Sequence, residues 1–162
     1  MRIEVPFAPR RGSPLPQYPP PGPELDLSID PGQNTGWALW WLGQLISCGI
    51  GEPPFQHVRQ LAIEIPQAYQ NSEVPYNDLI TLAFQAGRYA GASGANVVVE
   101  TYRPHDWKGS MSKSVSGYRV RVKLSPTELA VLAACERVVP AKQMHNVLDA
   151  IGVGLVAHQR KI

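Results

Sequence analysis

From Leu25 to Asp30 the chain alternates apolar and polar residues: Leu25, Leu27 and Ile29 against Asp26, Ser28 and Asp30. That period of two predicts a strand. Pro31-Gly32 then forces a turn, because proline fixes φ and glycine tolerates positive φ. From Thr35 the chain resumes as a second strand, carrying Trp37-Ala38-Leu39-Trp40-Trp41-Leu42, and Gln44–Ile50 reads as a third, giving an antiparallel meander. The period changes to helical over Tyr76–Ser93, where Leu79, Leu82, Ala83, Ala86 and Ala90 share one face. The later part of that helix is rich in small residues, which permit close packing on a sheet or a second helix. Ala95–Glu100 follows Gly94 as a short apolar run, the pattern of a buried parallel strand ending on Glu100. Ser125-Pro126-Thr127-Glu128 combines an N-cap serine, a proline at N1 and an acid at N3, and starts a helix that runs to about Arg137. Val138-Val139-Pro140 is read as a brief fifth strand and Gln143–His158 as a closing helix, with Met144, Val147, Leu148, Ile151 and Leu155 on its apolar face.

Elsewhere the pattern is weaker. Gly51–Gln56 is a turn-rich link, and His57–Tyr69 reads ambiguously as a helix cut by Pro66. Arg103–Lys123 reads as a loop excursion, extended over Tyr118–Leu124. Met1–Pro23 holds eight of the sixteen prolines, which rules out a helix and predicts an extended arm, with Ile3-Glu4-Val5 as a candidate edge strand. The expected organisation is therefore an arm over residues 1–23 and one α/β domain over 24–162. Its element order is β-β-β-α-β-α-β-α. Its centre is a mixed five-stranded sheet, three strands antiparallel and then parallel strands, flanked by helices.

Composition adds little until its distribution is considered. The net charge of the 162 residues is only +2, yet Arg103, Lys108, Lys113, Arg119, Arg121 and Lys123 face a single acid, Asp106, within one segment. The rest of the chain is net negative, so this segment is either a phosphate-binding surface or a solvated loop. Cys48 and Cys135 lie far apart with no CxxC spacing, which argues against a thiolate zinc site and for two buried thiols in a reducing compartment. There is no apolar core of a signal peptide and no run of transmembrane length, so a soluble cytoplasmic protein without a membrane partner is expected.

Asp30 and Glu100 each close a predicted strand. A right-handed crossover through the Tyr76–Ser93 helix makes those strands parallel, with both C-terminal ends on the edge where ligands of open α/β sheets gather. Asp149 lies on the closing helix with His145 four residues before it and Asn146 three before it, on one side. Asn146-x-x-Asp149 is also readable as a helix cap with an acid at N3. Gly152 and Gly154 each cost about 1 kcal/mol relative to alanine inside a helix, a cost that makes sense if this helix presses closely on the sheet. Two unit charges 4 Å apart repel by about 4 kcal/mol at an effective dielectric near 20. Three converging carboxylates therefore call for a hard divalent cation, Mg²⁺ or Mn²⁺.

Three stretches, in this order, carry a resemblance: Ile29-Asp30-Pro31-Gly32 with Thr35-Gly36-Trp37-Ala38-Leu39, then Val97–Glu100, then His145–Leu155. Together they resemble the RuvC-like Holliday-junction resolvases, a branch of the ribonuclease H-like fold. The Trp107-Lys108-Gly109 run followed by Lys113 resembles phage-encoded members, which would place the protein in an infected bacterial cell. The resemblance implies hydrolysis of a DNA phosphodiester at four-way or branched junctions, with Asp30, Glu100 and Asp149 as metal ligands. Many relatives carry a carboxylate where this chain has Asn146. His145 is therefore expected as the fourth catalytic group, with Asn146 a cap or outer-shell donor. Arg103, Trp107, Lys108, Lys113, Arg119, Arg121 and Lys123 are the expected DNA contacts; Trp107 either stacks on an unpaired base or anchors the loop in the core. A two-fold junction implies a homodimer, with the small-residue face of Tyr76–Ser93 as its candidate contact. The alternatives are a nuclease acting on RNA or other branched DNA, and a non-catalytic junction-binding protein.

Overall fold

The computed structural model describes residues 24–67 and 75–162. The proline-rich arm, its candidate edge strand and the end of the His57–Tyr69 segment lie outside them. The alternating stretch forms β1 (Leu25–Asp30), which pairs antiparallel with β2 (Gly36–Trp41); β2 pairs antiparallel with β3 (Gln44–Ile50). On its other side β1 pairs in parallel with β4 (Val58–Glu64), and β4 with β5 (Val98–Tyr102). Among the described residues the sheet is five-stranded and mixed, in the order β3-β2-β1-β4-β5. Helix α1 (Tyr76–Ala92) makes the crossover from β4 to β5.

Alternation along β1 divides the molecule into two apolar layers. Leu27 and Ile29, with Leu61 and Ile63 of β4, pack under Ala86 and Tyr89 of α1. The opposite face carries Asp26, Ser28 and Asp30 and is covered by α5 (Met144–Ala157). Val147, Ile151 and Leu155 of that helix join Ala38 and Trp40 of β2 in the larger core. The expected buried face of α1 is shallower than its spacing suggests. Leu79, Leu82 and Ala90 are half-buried, Ala83 is exposed, and Gly87 and Gly91 face open space.

Among the described residues the sheet has the expected number of strands, five, but three of the expected stretches change. Residues 58–64 are a central strand rather than a helix. Leu61, Ala62 and Ile63 are all buried, so the run lacks the apolar–polar alternation of a one-sided strand. Val138-Val139-Pro140 is not a strand; it follows α4 (Pro126–Glu136) and leads through a short 3₁₀ turn, Ala141–Gln143, into α5. The segment 103–123 is likewise not a loop. Pro104–Lys108 forms α2, where the Asp106 carboxylate accepts from both the backbone N–H and the guanidinium of Arg103, and Lys113–Lys123 forms α3, whose Ser112 side chain accepts from the Val115 N–H. Tyr118–Leu124 is accordingly helical rather than extended. The cap at Ser125 is as expected: its hydroxyl accepts from the Glu128 N–H, and the Glu128 carboxylate accepts from the Ser125 N–H. Cys48 and Cys135 are free thiols, half-buried and buried, and burial pushes both above the usual thiol range. Among the described residues no helix is long and apolar enough to cross a membrane.

Candidate active site

Parallel pairing sets Ile29 opposite Ile63, so the next residue of each strand, Asp30 and Glu64, ends its strand on the same sheet edge. Asp149 reaches that edge from α5. Two close approaches hold this helix down. A Cβ on Gly36, the partner of Asp30 in β2, would fall 2.0 Å from the Asn146 carbonyl oxygen. One on Gly154 would fall 2.4 Å from the Trp40 indole. The expectation that glycines let α5 press on the sheet is met at Gly154. Gly152 presses on Trp107 of α2 instead, where a Cβ would lie 2.3 Å from the ring.

Asp30, Glu64 and Asp149 line one cavity of about 290 Å³ together with His145, Asn146, Lys108 and Lys113. The Lys108 Nζ donates to Asp149 Oδ2 at 2.9 Å and stands 3.7 Å from Glu64 Oε2. The Trp107 indole N–H donates to Glu64 Oε2 at 2.6 Å. Burial and the charges of Glu64 and Asp149 raise the Asp30 carboxyl well above its ordinary range, against the partial compensation of Lys108 and Lys113. Burial also raises Glu64, although Lys108 and the Trp107 hydrogen bond oppose it. Burial disfavours the charged Lys108, but Glu64 and Asp149 outweigh it and raise this ammonium above its ordinary value. The site thus holds three carboxylates with a shortage of positive charge at one of them.

The structure does not bring Glu100 to this cavity. β5 runs on to Tyr102, and it is Tyr102, not Glu100, that lies opposite Glu64 at the edge. Glu100 sits opposite Ala62, one pleat repeat back, and β4 separates its strand from β1. Neighbouring strands lie about 4.8 Å apart and a two-residue step is about 6.6 Å, so Glu100 is displaced from Asp30 in both directions. Its carboxylate accepts from the Tyr102 hydroxyl at 2.7 Å, and burial with that bond pushes the phenol up to about 12. Glu64 stands in the place expected for Glu100. Its signal was in the sequence: Leu61-Ala62-Ile63-Glu64 repeats the pattern of Leu27-Ser28-Ile29-Asp30, each with a proline within two residues.

His145 and Asn146 do share the cavity with Asp149. Asn146 is not the helix cap, because α5 starts at Met144 behind Gln143, which makes no side-chain cap bond. The expected DNA contacts divide. Lys108 and Lys113 line the cavity; Arg119 and Lys123 are exposed on α3. Arg103 is held by Asp106 at 3.0 Å and Arg121 by Glu136 at 2.5 Å. Trp107 is buried, 6% exposed, so base stacking gives way to its alternative as an anchor.

Among the described residues, no three His, Cys, Asp or Glu side chains lie close enough as they stand to cage an ion. The donor set nonetheless fits a hard divalent cation: three carboxylates line one cavity, and Lys108 supplies a single positive charge between two of them. No protein-family model and no curated protein matches the chain. Among solved structures it is similar to the Thermus thermophilus RuvC structure, with 18% identity and a TM-score of 0.39 over 81% of this chain and 91% of that one. It is also similar to T. thermophilus RuvC in complex with Holliday junction substrate, with 14% identity and a TM-score of 0.39 over 84% and 97% of the two chains.

Proposed function

We propose that this protein is a divalent-metal-dependent, structure-selective endonuclease that hydrolyses phosphodiesters of branched DNA, four-way junctions first among them. The observation that carries the reading is the convergence of Asp30, Glu64 and Asp149 on one under-compensated cavity at a sheet edge. These three residues would hold Mg²⁺ or Mn²⁺. When bound, such ions supply an activated water and stabilise the leaving oxygen. Lys108 then has its carboxylate partners shared and is available to a substrate phosphate, with Lys113 beside it. His145, on the first turn of α5, has the chemistry to move a proton at the same cavity. Arg119 and Lys123 extend the basic surface along α3.

The same proposal includes a homodimer, since a two-fold junction needs two matched cuts. Its support on α1 has changed from small residues to large ones. Tyr76, Ile80 and Phe84 recur every four residues and are 83%, 66% and 76% exposed, an apolar stripe without a described partner. Sedimentation of a cleavage-competent sample should show a dimer, and a monomer with and without junction DNA removes this part.

The test of the activity is cleavage of four-way junction, flap, duplex and RNA substrates in Mg²⁺ and Mn²⁺. Junction cleavage that Asp30→Asn, Glu64→Gln and Asp149→Asn each abolish, with junction binding kept within about tenfold, is the expected result. Binding of junctions with no cleavage in either metal makes the protein a junction-binding module. Preferential cleavage of RNA replaces the substrate but keeps the site.

A further inference from the structure

We propose that Trp107 is a positioning residue of the acidic site, fixing the Glu64 carboxylate through its indole N–H so that one oxygen remains for a metal ion. The proposal rests on the metal-site reading above and goes beyond it, from the carboxylates to the group that aims one of them. Both polar contacts to Glu64 fall on the same atom. Trp107 Nε1 donates to Oε2 at 2.6 Å, and Lys108 Nζ stands 3.7 Å from Oε2. Oε1 is left without a protein partner among the described residues.

The indole suits this task chemically. It is a neutral single donor, so it satisfies one lone pair of a carboxylate without adding a charge that competes with a cation. A second cation there would add to the positive charge that Lys108 already brings to the same oxygen. The indole is itself held on two sides. Its ring sits against Gly152 of α5, where any Cβ would come within 2.3 Å, and Lys108 Nζ lies 4.6 Å from its centroid. Gly152 stands three residues after Asp149, so one turn of α5 carries both a proposed ligand and the seat of the residue that aims another. β4, α2 and α5 are thereby tied at one point, and the relation between Glu64 and Asp149 is set before any ion arrives.

A tryptophan that merely fills the core needs only its ring. The experiment therefore removes the N–H and keeps the volume, by site-specific replacement of Trp107 with its benzothienyl analogue, alongside Trp107→Phe. The readout is the Mn²⁺ dissociation constant from electron paramagnetic resonance of the free ion, with metal-free melting recorded on the same samples. Weakening of Mn²⁺ binding by roughly 10- to 100-fold in the analogue protein, with melting unchanged, supports the assignment, this being the range for lost outer contacts to metal ligands. An analogue protein that binds Mn²⁺ within twofold of wild type overturns it. So does one that no longer folds, since the N–H is then structural. Asp149→Asn separates this from the reading beneath it: wild type and Asp149→Asn that take up Mn²⁺ alike remove the metal site itself, and the assignment of Trp107 with it.

Discussion

Glu128 and Asp30 are both acids withdrawn from solvent, and their surroundings treat them in opposite ways. Glu128 is 1% exposed and fully satisfied: Oε1 accepts from the Leu45 N–H at 3.0 Å and from Arg160 at 2.7 Å, while Oε2 accepts from the Ser125 N–H at 2.8 Å. Burial alone would raise its pKa, but these donors outweigh burial and hold it down at about 2. Asp30 has burial and two like charges against it, with Lys108 and Lys113 in partial compensation, and it is raised. Asp26, on the same face of the same strand as Asp30, has a cation of its own: Arg59 Nε donates to it at 2.9 Å. One kind of acid is built to stabilise the fold. The other is left short of positive charge, which costs stability and leaves a need that a ligand can fill.

The largest effect should come from exchanging charge for neutrality at Asp30. Asp30→Asn is expected to cost cleavage about a thousandfold or more, the loss of roughly 4 kcal/mol at the transition state. The same substitution should raise the melting temperature in the absence of metal, because it removes repulsion from Glu64 and Asp149. Added Mg²⁺ should stabilise wild type and leave the variant unchanged. A variant that melts lower than wild type without metal, by calorimetry, would place Asp30 with the structural acids and break the contrast.

Glu128 should respond in stability alone. Its folded pKa of about 2 lies below its ordinary value of 4.5, so between those values the unfolded chain binds more protons than the native one. Its contribution is therefore complete above pH 4.5 and is lost as the pH falls through about 2. The difference corresponds to about 3 kcal/mol. Glu128→Gln is expected to lose about that much at neutral pH, lowering the melting temperature by roughly 6–12 °C, and to flatten the acid limb of the stability profile. Cleavage by the folded variant at permissive temperature should match wild type. Urea titrations from pH 2 to 7 measure the first, and an unaltered acid limb would detach Glu128 from it.

The two kinds of acid were unequally legible in the sequence. Glu128 announced itself through Ser125-x-x-Glu128, because a capping box is local and needs no tertiary information. Its partners Arg160 and Leu45 were invisible, being set by where α5 and β3 come to lie. Asp30 and Asp149 were legible from strand and helix periodicity together with a resemblance. Glu64 was missed because β4 is buried on both faces over Leu61–Ile63, so the apolar run did not alternate as a strand with one solvated face does. Taking that run as a helix removed a strand from between β1 and β5. Val138–Pro140 then supplied the fifth strand by default, and Glu100 inherited the position beside Asp30. Helix α2 was missed because an arginine at its cap is not a recognised start signal, and α3 because Tyr118-Arg119-Val120-Arg121-Val122 alternates as a strand does. With them went the burial of Trp107.

The smallest expected effect tests that correction most directly. Glu100 and Glu64 are both strand glutamates on the same face of the sheet, on neighbouring strands and one pleat apart in register. Glu64 faces a lysine, an indole N–H and two other acids; Glu100 faces the Tyr102 hydroxyl and lies outside the cavity. Glu100→Gln keeps the shape and leaves an amide oxygen to accept from Tyr102. It should therefore change junction cleavage by less than about twofold and stability by about 1 kcal/mol or less, the worth of one partly exposed hydrogen bond. Glu64→Gln, compared on the same substrate and at the same Mg²⁺ concentration, should lose cleavage as Asp30→Asn does. The Tyr102 phenol offers a second separation. Removing Glu100's charge should lower the phenol pKa of Tyr102 from about 12, visible in an alkaline absorbance titration, because the repulsion and the accepted hydrogen bond both weaken. Removing Glu64's charge should leave that titration where it was. If Glu100→Gln abolishes cleavage while Glu64→Gln cuts normally, the edge row of the sheet is not the catalytic row, and the register of β5 against β4 must differ in the active protein by a pleat.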